Sequence, residues 1–263
     1  MNDAASQNVT GDPAIELASV HISHAEAPGV VVLRDVNWQI GFGEFWVVGG
    51  QPSSGKSTLL LTAAGLNRPV TGKLRIFGRE MVGAHEKDTL AWRRRIGFVF
   101  EYSGQMFNRL TVAQNIALPL QYHGEMSDDD VVAKVDALLT MTELQEYASF
   151  VPGRLSLGVQ QRVGLARALA SPVELLFLDN PLSTLSLREA RWWLDFLRRL
   201  YESRRAEGNP LAIVASVDDF RGWIDAAEHF AIVEGGRFGV VGGREQVAAA
   251  TEPAVREFLA TGF

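Results

Sequence analysis

The chain has 263 residues, 47% hydrophobic and 21% charged, an ordinary globular balance and enough length for one domain with an inserted subdomain. Its net charge of −6, with no Lys/Arg run longer than Arg93-Arg94-Arg95, argues against a nucleic-acid partner. The lack of cysteine excludes disulfides and Cys-ligated zinc and suits a cytoplasmic protein, and no apolar run is long enough to span a bilayer.

Residues 1–13 carry neither a basic nor an apolar leader region and read as a loose tail. Residues 15–20 and 30–40 alternate apolar and polar side chains and read as two strands of an outer sheet. Short apolar runs at 45–48, 73–77, 96–100, 175–178 and 211–215 read as strands of a buried, mostly parallel sheet. Helical patterns lie at 57–65, 112–120, 128–140 and 187–205, and Asp128-Asp129-Asp130 puts acid at the positive end of a helix dipole. Strands alternating with helices give an α/β doubly wound core. The stretch 103–170 has no strand pattern and reads as an inserted helical subdomain. Residues 14–263 are then a single domain, its core at 14–102 and 171–263. Residues 235–241 and a short helical tail follow the core, and neither repeats nor low-complexity segments occur. Trp38, Trp46, Trp192, Trp193 and Phe196 read as core residues. Arg198, Arg199, Arg204 and Arg205 read as a solvated helix end, or else as a dimer contact.

Gly50-Gln51-Pro52-Ser53-Ser54-Gly55-Lys56-Ser57-Thr58 fits the G-x-x-x-x-G-K-[ST] pattern, and it stands between an apolar strand and a helical run. Such a turn aims backbone N–H groups and a helix N-terminus at one point, where a triphosphate fits. Gly50, Ser53, Ser54, Gly55 and Thr58 belong to the cradle. The Lys56 ammonium reaches the β/γ-phosphates and the Ser57 hydroxyl ligates Mg²⁺. A second Mg²⁺-organising group is expected on a neighbouring strand, and Asp179 ends the run Leu175-Leu176-Phe177-Leu178 as such a group would. The chain is therefore expected to bind ATP with Mg²⁺.

Between these two motifs lies Leu155-Ser156-Leu157-Gly158-Val159-Gln160-Gln161-Arg162-Val163-Gly164-Leu165-Ala166-Arg167-Ala168-Leu169. It resembles the signature segment of ATP-binding cassette (ABC) proteins, LSGGQ followed by QRVxxARAL. Residues 110–120 resemble the family's LTVxENIxLPL segment, and the likeness runs from 15 to 245 with motifs in family order. The resemblance implies a P-loop NTPase (RecA-like) core with a mostly parallel sheet, an N-terminal antiparallel β-subdomain and an inserted helical subdomain. It further implies head-to-tail dimerisation with a second cassette, where Ser156 and Gly158 face the nucleotide of the other subunit. Residues 101–110 are then expected to grip a membrane permease, with the cassette cytoplasmic and peripheral on the inner face of the cell membrane. His24 takes the place of the aromatic residue that stacks on adenine, or else is a surface-loop histidine. The segment from Ser103 to Val112 resembles that of cassettes serving lipid-trafficking permeases of the MCE type, and also of cell-division and lipoprotein-release cassettes. It names no cargo.

Several positions depart from the family pattern. Asn180 stands where the family has the glutamate that polarises the attacking water, and Val217 where it has the H-loop histidine. Glu101 replaces the Q-loop glutamine, a metal and water contact. Leu157 and Val159 replace signature residues, Ser186 the D-loop aspartate and Ser53 a loop glycine. Groups that hold phosphate and Mg²⁺ are retained, while groups that move a proton are replaced. The leading expectation is an ABC transporter subunit that binds MgATP and closes on a partner, with impaired or absent hydrolysis. Two alternatives stand beside it: a regulatory ATP-binding module, and an active homodimeric ATPase in which Glu101 serves as base while Asn180 positions the water.

Overall fold

The computed structural model of the chain describes residues 12–24, 27–81, 86–102, 106–123 and 126–260. Of the expected tail, residues 1–11 lie outside the described residues, as do 103–105 of the expected permease-gripping segment.

Strands β1 (Ile15–His24), β2 (Ala27–Ile40), β4 (Thr71–Ile76) and β5 (Arg79–Glu80) form an antiparallel sheet of order β2-β1-β4-β5. The run at 73–77 was expected in the parallel sheet and belongs here instead. Only Leu74 and Ile76 of β4 are buried, the alternation of a strand with one wet face. The main sheet runs from β10 (Arg237–Gly242) through β9 (His229–Glu234), β3 (Phe45–Gly50), β8 (Ala212–Val217) and β7 (Leu175–Leu178) to β6 (Ile96–Val99). The pairings from β9 to β6 are parallel, and β10 closes the edge as an antiparallel hairpin with β9. β9 carries no pattern noted in the sequence.

Continuous apolar strands follow from burial on both faces. Trp46, Val48, Phe177 and Val214 pack towards Leu59, Leu60 and Ala63 of α1 (Lys56–Ala63) and the antiparallel sheet. Phe45, Val47, Leu176, Leu178, Ile213 and Ala215 point the other way. They meet Val163 of α5 (Leu157–Ala168) and Trp193, Phe196 and Leu197 of α6 (Leu187–Ala206). The period-2 split of each strand thus builds two cores from one sheet.

Between β6 and β7 the described residues hold α3 (Val112–His123), α4 (Asp128–Met141), α5 and two short 3₁₀ turns, and no strand. The acid run starts α4 as expected, with Ser127 as its cap accepting from the Asp130 N–H. α2 (Glu86–Arg93) precedes β6, while α7 (Arg244–Ala249) and α8 (Pro253–Ala260) follow β10. Among the described residues no helix is long and apolar enough to cross a membrane.

Arg198, Arg199 and Arg205 are exposed, as expected of a solvated helix end, whereas Arg204 is partly buried and tied down. Arg204 donates to the Asn209 and Val173 carbonyls, each at 2.9 Å, and Arg205 pairs with Glu228 at 2.9 Å.

β3 meets the C-terminal region at Gly49, where a Cβ would approach the Phe220 ring to 2.6 Å. Phe220 in turn packs on Phe230 and on Phe258 of α8. Gly49→Ala therefore overpacks this junction and should cost about 1–3 kcal/mol, read as a lower urea midpoint at unchanged slope.

Candidate functional site

Because β3, β8, β7 and β6 run parallel and adjacent, their carboxyl ends share one edge. Register keeps the ends level: Val99 pairs with Leu178, Leu178 with Ala215, and Val217 with Gly49. The next residues of each chain segment are Glu101, Asp179-Asn180, Asp218 and the loop at 50–58. Open α/β sheets bind their ligands at this edge.

The loop from β3 to α1 has little freedom to be anything else. A Cβ on Gly50 would stand 2.6 Å from Ser54 Oγ and 2.9 Å from the Val233 carbonyl oxygen. Gly55 caps α1 at φ +106°, which L side chains rarely adopt, and Ser53 sits at φ +63°. No side chain caps α1 and no acid lies in its first turn, so its positive pole faces the loop unopposed. Ser54 Oγ is buried without a hydrogen-bond partner among the described residues. An oxygen-rich anion would satisfy both, so the loop fits a phosphate. Thr58 is buried, and its carbonyl accepts from the Thr62 hydroxyl.

Lys56 is only 6% exposed. Its ammonium donates to the Gly50 carbonyl at 2.5 Å, the Gln51 carbonyl at 3.0 Å and Asp218 Oδ1 at 3.0 Å, matching three acceptors to three hydrogens. Asp179 is buried, and its Oδ1 accepts from Ser57 Oγ at 3.0 Å and from Ser216 Oγ at 2.7 Å. Burial pushes the Asp179 carboxyl up, against the opposing pull of the two hydroxyl donors. Among the described residues no three acidic or imidazole groups converge as a metal cage. Ser57 and Asp179 nonetheless suit Mg²⁺, which is commonly held by one or two carboxylates plus phosphate oxygens and water.

Asn180 lies beside this centre at φ +43°. Its Nδ2 donates to Glu101 Oε1 and to Asp218 Oδ2, both at 2.9 Å, and its N–H donates to Ser216 Oγ. The structure thus brings together Lys56, Ser57, Asp179, Asn180 and Glu101 with the loop glycines and serines. Ser216 and Asp218 join them, and the sequence reading gave neither a role. Strand alternation would have found both: Ser216 and Asp218 are two apart on β8 and its extension, while Val217 between them turns into the apolar core.

Residues 33–183, more than half of the chain, match the family model described as ABC transporter. The chain belongs to the ABC transporter family. The cassette is 33% identical over 228 residues to the methionine import ATP-binding protein MetN of Lactobacillus delbrueckii subsp. bulgaricus, covering 85% of this chain and 63% of MetN. It is 36% identical over 212 residues to the sulfate/thiosulfate import ATP-binding protein CysA of Mycobacterium bovis, covering 81% of this chain and 57% of CysA. The cassette thus spans less than two thirds of the length of either relative. Its fold matches the ATP-binding cassette MJ0796, solved as a dimer in a post-hydrolysis state bound to ADP and Pi. That match has a TM-score of 0.76 at 28% identity and covers 85% of this chain and 95% of that one. P-loop NTPase architecture and ATP with Mg²⁺ as ligands follow from this membership.

The remaining expected site residues lie apart from the edge. Ser156 caps α5 through a bond from the Val159 N–H, and the open face of Gly158 is filled by the Glu189 carboxylate. Ser186, at the D-loop position, caps α6 in a reciprocal box with Glu189. Leu157 is exposed and Val159 buried. His24 is the exposed last residue of β1, opposite Ala27.

Two outcomes follow from the site's energetics. Ser53→Gly relieves a left-handed serine and should stabilise the protein by about 1 kcal/mol in denaturant unfolding. The Asp179 folded-state pKa lies above its unfolded value, so ionising it as pH rises through the carboxylate range removes stability. In nucleotide-free protein with chelator, Asp179→Asn should melt above the parent at pH 8, and the gap should close in acid.

Proposed function

We propose that this cassette binds MgATP at the β3–α1 loop, hydrolyses it slowly or not at all, and couples nucleotide-dependent closure with a second cassette to a membrane permease. The observation that carries the reading is Asn180, an amide one residue beyond Asp179 at the centre of the site. Its two Nδ2 hydrogens are committed to Glu101 and Asp218, so its Oδ1 remains to accept from water. An amide orients a water molecule but takes no proton from it at neutral pH. The loop amides, the α1 N-terminus and Lys56 hold the phosphates, and Ser57 and Asp179 hold the metal. Held there, Mg²⁺ would supply positive charge that offsets the negative charge of the phosphates.

A surface near the 101–110 segment supports the coupling role. Phe100, Phe107, Leu118, Pro119, Tyr122 and Arg167 line a mostly apolar cavity of ≈ 590 Å³. Phe107 and Tyr122 there are 54% and 78% exposed, an uncommon exposure for aromatic side chains. A permease seated on this surface would hold the cassette at the inner, cytoplasmic face of the membrane. The names of MetN and CysA, both import ATP-binding proteins, support this reading. The expected contacts of Ser156 and Gly158 lie across the interface to the second cassette, and His24 is the proposed adenine platform.

A second reading rests on the 2.9 Å bond between Glu101 and Asn180. A carboxylate and an amide have exchanged places relative to the family pattern, and they still touch. Glu101 then takes the water proton while Asn180 holds the water. A regulatory ATP-binding module, the third reading, shares the binding site and needs no turnover.

Nucleotide binding and steady-state hydrolysis by the purified chain with Mg²⁺ separate these readings. Binding is expected to be lost in Lys56→Ala, with parent turnover at that variant's level. Turnover well above it would overturn the silent reading. Glu101→Gln should then lower the rate by about two to four orders of magnitude if Glu101 is the base. A rate unmoved by that change would eliminate the exchange.

A further inference from the structure

An anion already stands at the phosphate loop. Asp218 Oδ1 accepts from Lys56 Nζ and Asp218 Oδ2 accepts from Asn180 Nδ2, so one carboxylate joins the loop's cation to the amide beyond β7. The other two acceptors of Lys56 are the neutral carbonyls of Gly50 and Gln51, which belong to the loop itself. The neighbouring acids are engaged elsewhere. Asp179 faces Ser57 and Ser216, Glu101 faces Asn180, and Asp219 is paired with Arg221. Among the described residues Asp218 is the carboxylate that neutralises Lys56.

The two halves of this pair differ in exposure. The Lys56 side chain is 7% exposed and held on three sides, whereas that of Asp218 is 42% exposed at the strand's end. An incoming terminal phosphate presents the same chemistry as Asp218, with more charge and more acceptor oxygens. Both cannot share the few donors of one buried ammonium. The acid is therefore the group that moves.

We propose that Asp218 is an affinity-setting residue of the nucleotide site: a resident anion that the terminal phosphate displaces from Lys56 and that then holds Asn180 alone. This rests on the MgATP reading above and adds to it a residue and a direction. In the empty site Asp218 satisfies the ammonium, which would otherwise be a buried uncompensated charge. In the loaded site its carboxylate lies near the phosphates and opposes them. Both effects lower nucleotide affinity, and solvent at the exposed acid keeps them moderate. The displaced Asp218 keeps its bond to Nδ2, so the amide stays turned with Oδ1 towards the centre. Asp218 thereby acts as a positioning residue for Asn180.

The test titrates the purified full chain, with Mg²⁺, against a fluorescent non-hydrolysable ATP analogue. Asp218→Asn removes the charge at constant shape and should bind roughly threefold to thirtyfold tighter than the parent, the range of one partly exposed charged hydrogen bond. Asp218→Ser should move the same way. Asp219→Asn removes the same charge one residue on, from an acid tied to Arg221, and should bind as the parent does. If Asp218→Asn binds no tighter, or Asp219→Asn tightens binding equally, the proposal falls while the nucleotide reading stands. If parent and Lys56→Ala bind the analogue alike, the nucleotide reading falls and takes the proposal with it.

Discussion

An ammonium that is 6% exposed needs acceptors in place of its water, and Lys56 finds them in two loop carbonyls and Asp218. This requirement reaches well beyond one side chain. It holds the carbonyls of Gly50 and Gln51 towards the ammonium. β8 lies beside β3 by strand pairing, with Gly49 opposite Val217, so Asp218 reaches Lys56 and Asn180 bridges Asp218 and Glu101. The sheet makes this possible, since four parallel neighbours deliver their next residues to one edge.

The site's chemistry divides along the same lines. Lys56, Ser57 and Asp179 are of family type: Ser57 bonds Asp179, and Lys56 bonds the loop carbonyls and Asp218. Groups around Asn180 have changed identity and remain in contact. The hydrophobic replacement at Val217 sits with the apolar core instead of lining the edge. Strand geometry makes that consistent: with Ser216 and Asp218 turned to the site, the residue between them must face the helices. Polar work at the end of β8 therefore falls to 216 and 218.

Much of this was legible in the sequence, for identifiable reasons. The runs at 45–48 and 175–178 are apolar throughout because both their faces are buried, and such runs are hard to mistake. The run at 73–77 looks similar in composition but buries only Leu74 and Ile76 of β4, which is how it came to be assigned to the wrong sheet. Arg204 looked solvated because its acceptors, the carbonyls of Val173 and Asn209, are main-chain groups invisible to side-chain patterning. The phosphate loop announces itself within nine residues. The bonds from Ser57 to Asp179 and from Lys56 to Asp218 join positions 122 and 162 apart, and nothing local in the chain marks them.

The backbone at 180 gives the amide a reason of its own. At φ +43° a side chain carries a conformational cost of about 1–2 kcal/mol, and asparagine is among the residues that bear it most readily. A glutamate in the same place would set a further carboxylate beside Glu101 and Asp218 and lose the two bonds the amide donates to them. Neighbouring like charges disfavour one another's ionised form. An amide at 180 instead donates to two of those carboxylates and leaves the third to the hydroxyls of Ser57 and Ser216. The two carboxylates and the amide between them are thus one hydrogen-bonded arrangement. A change at Glu101 or Asn180 therefore alters what the other must bond.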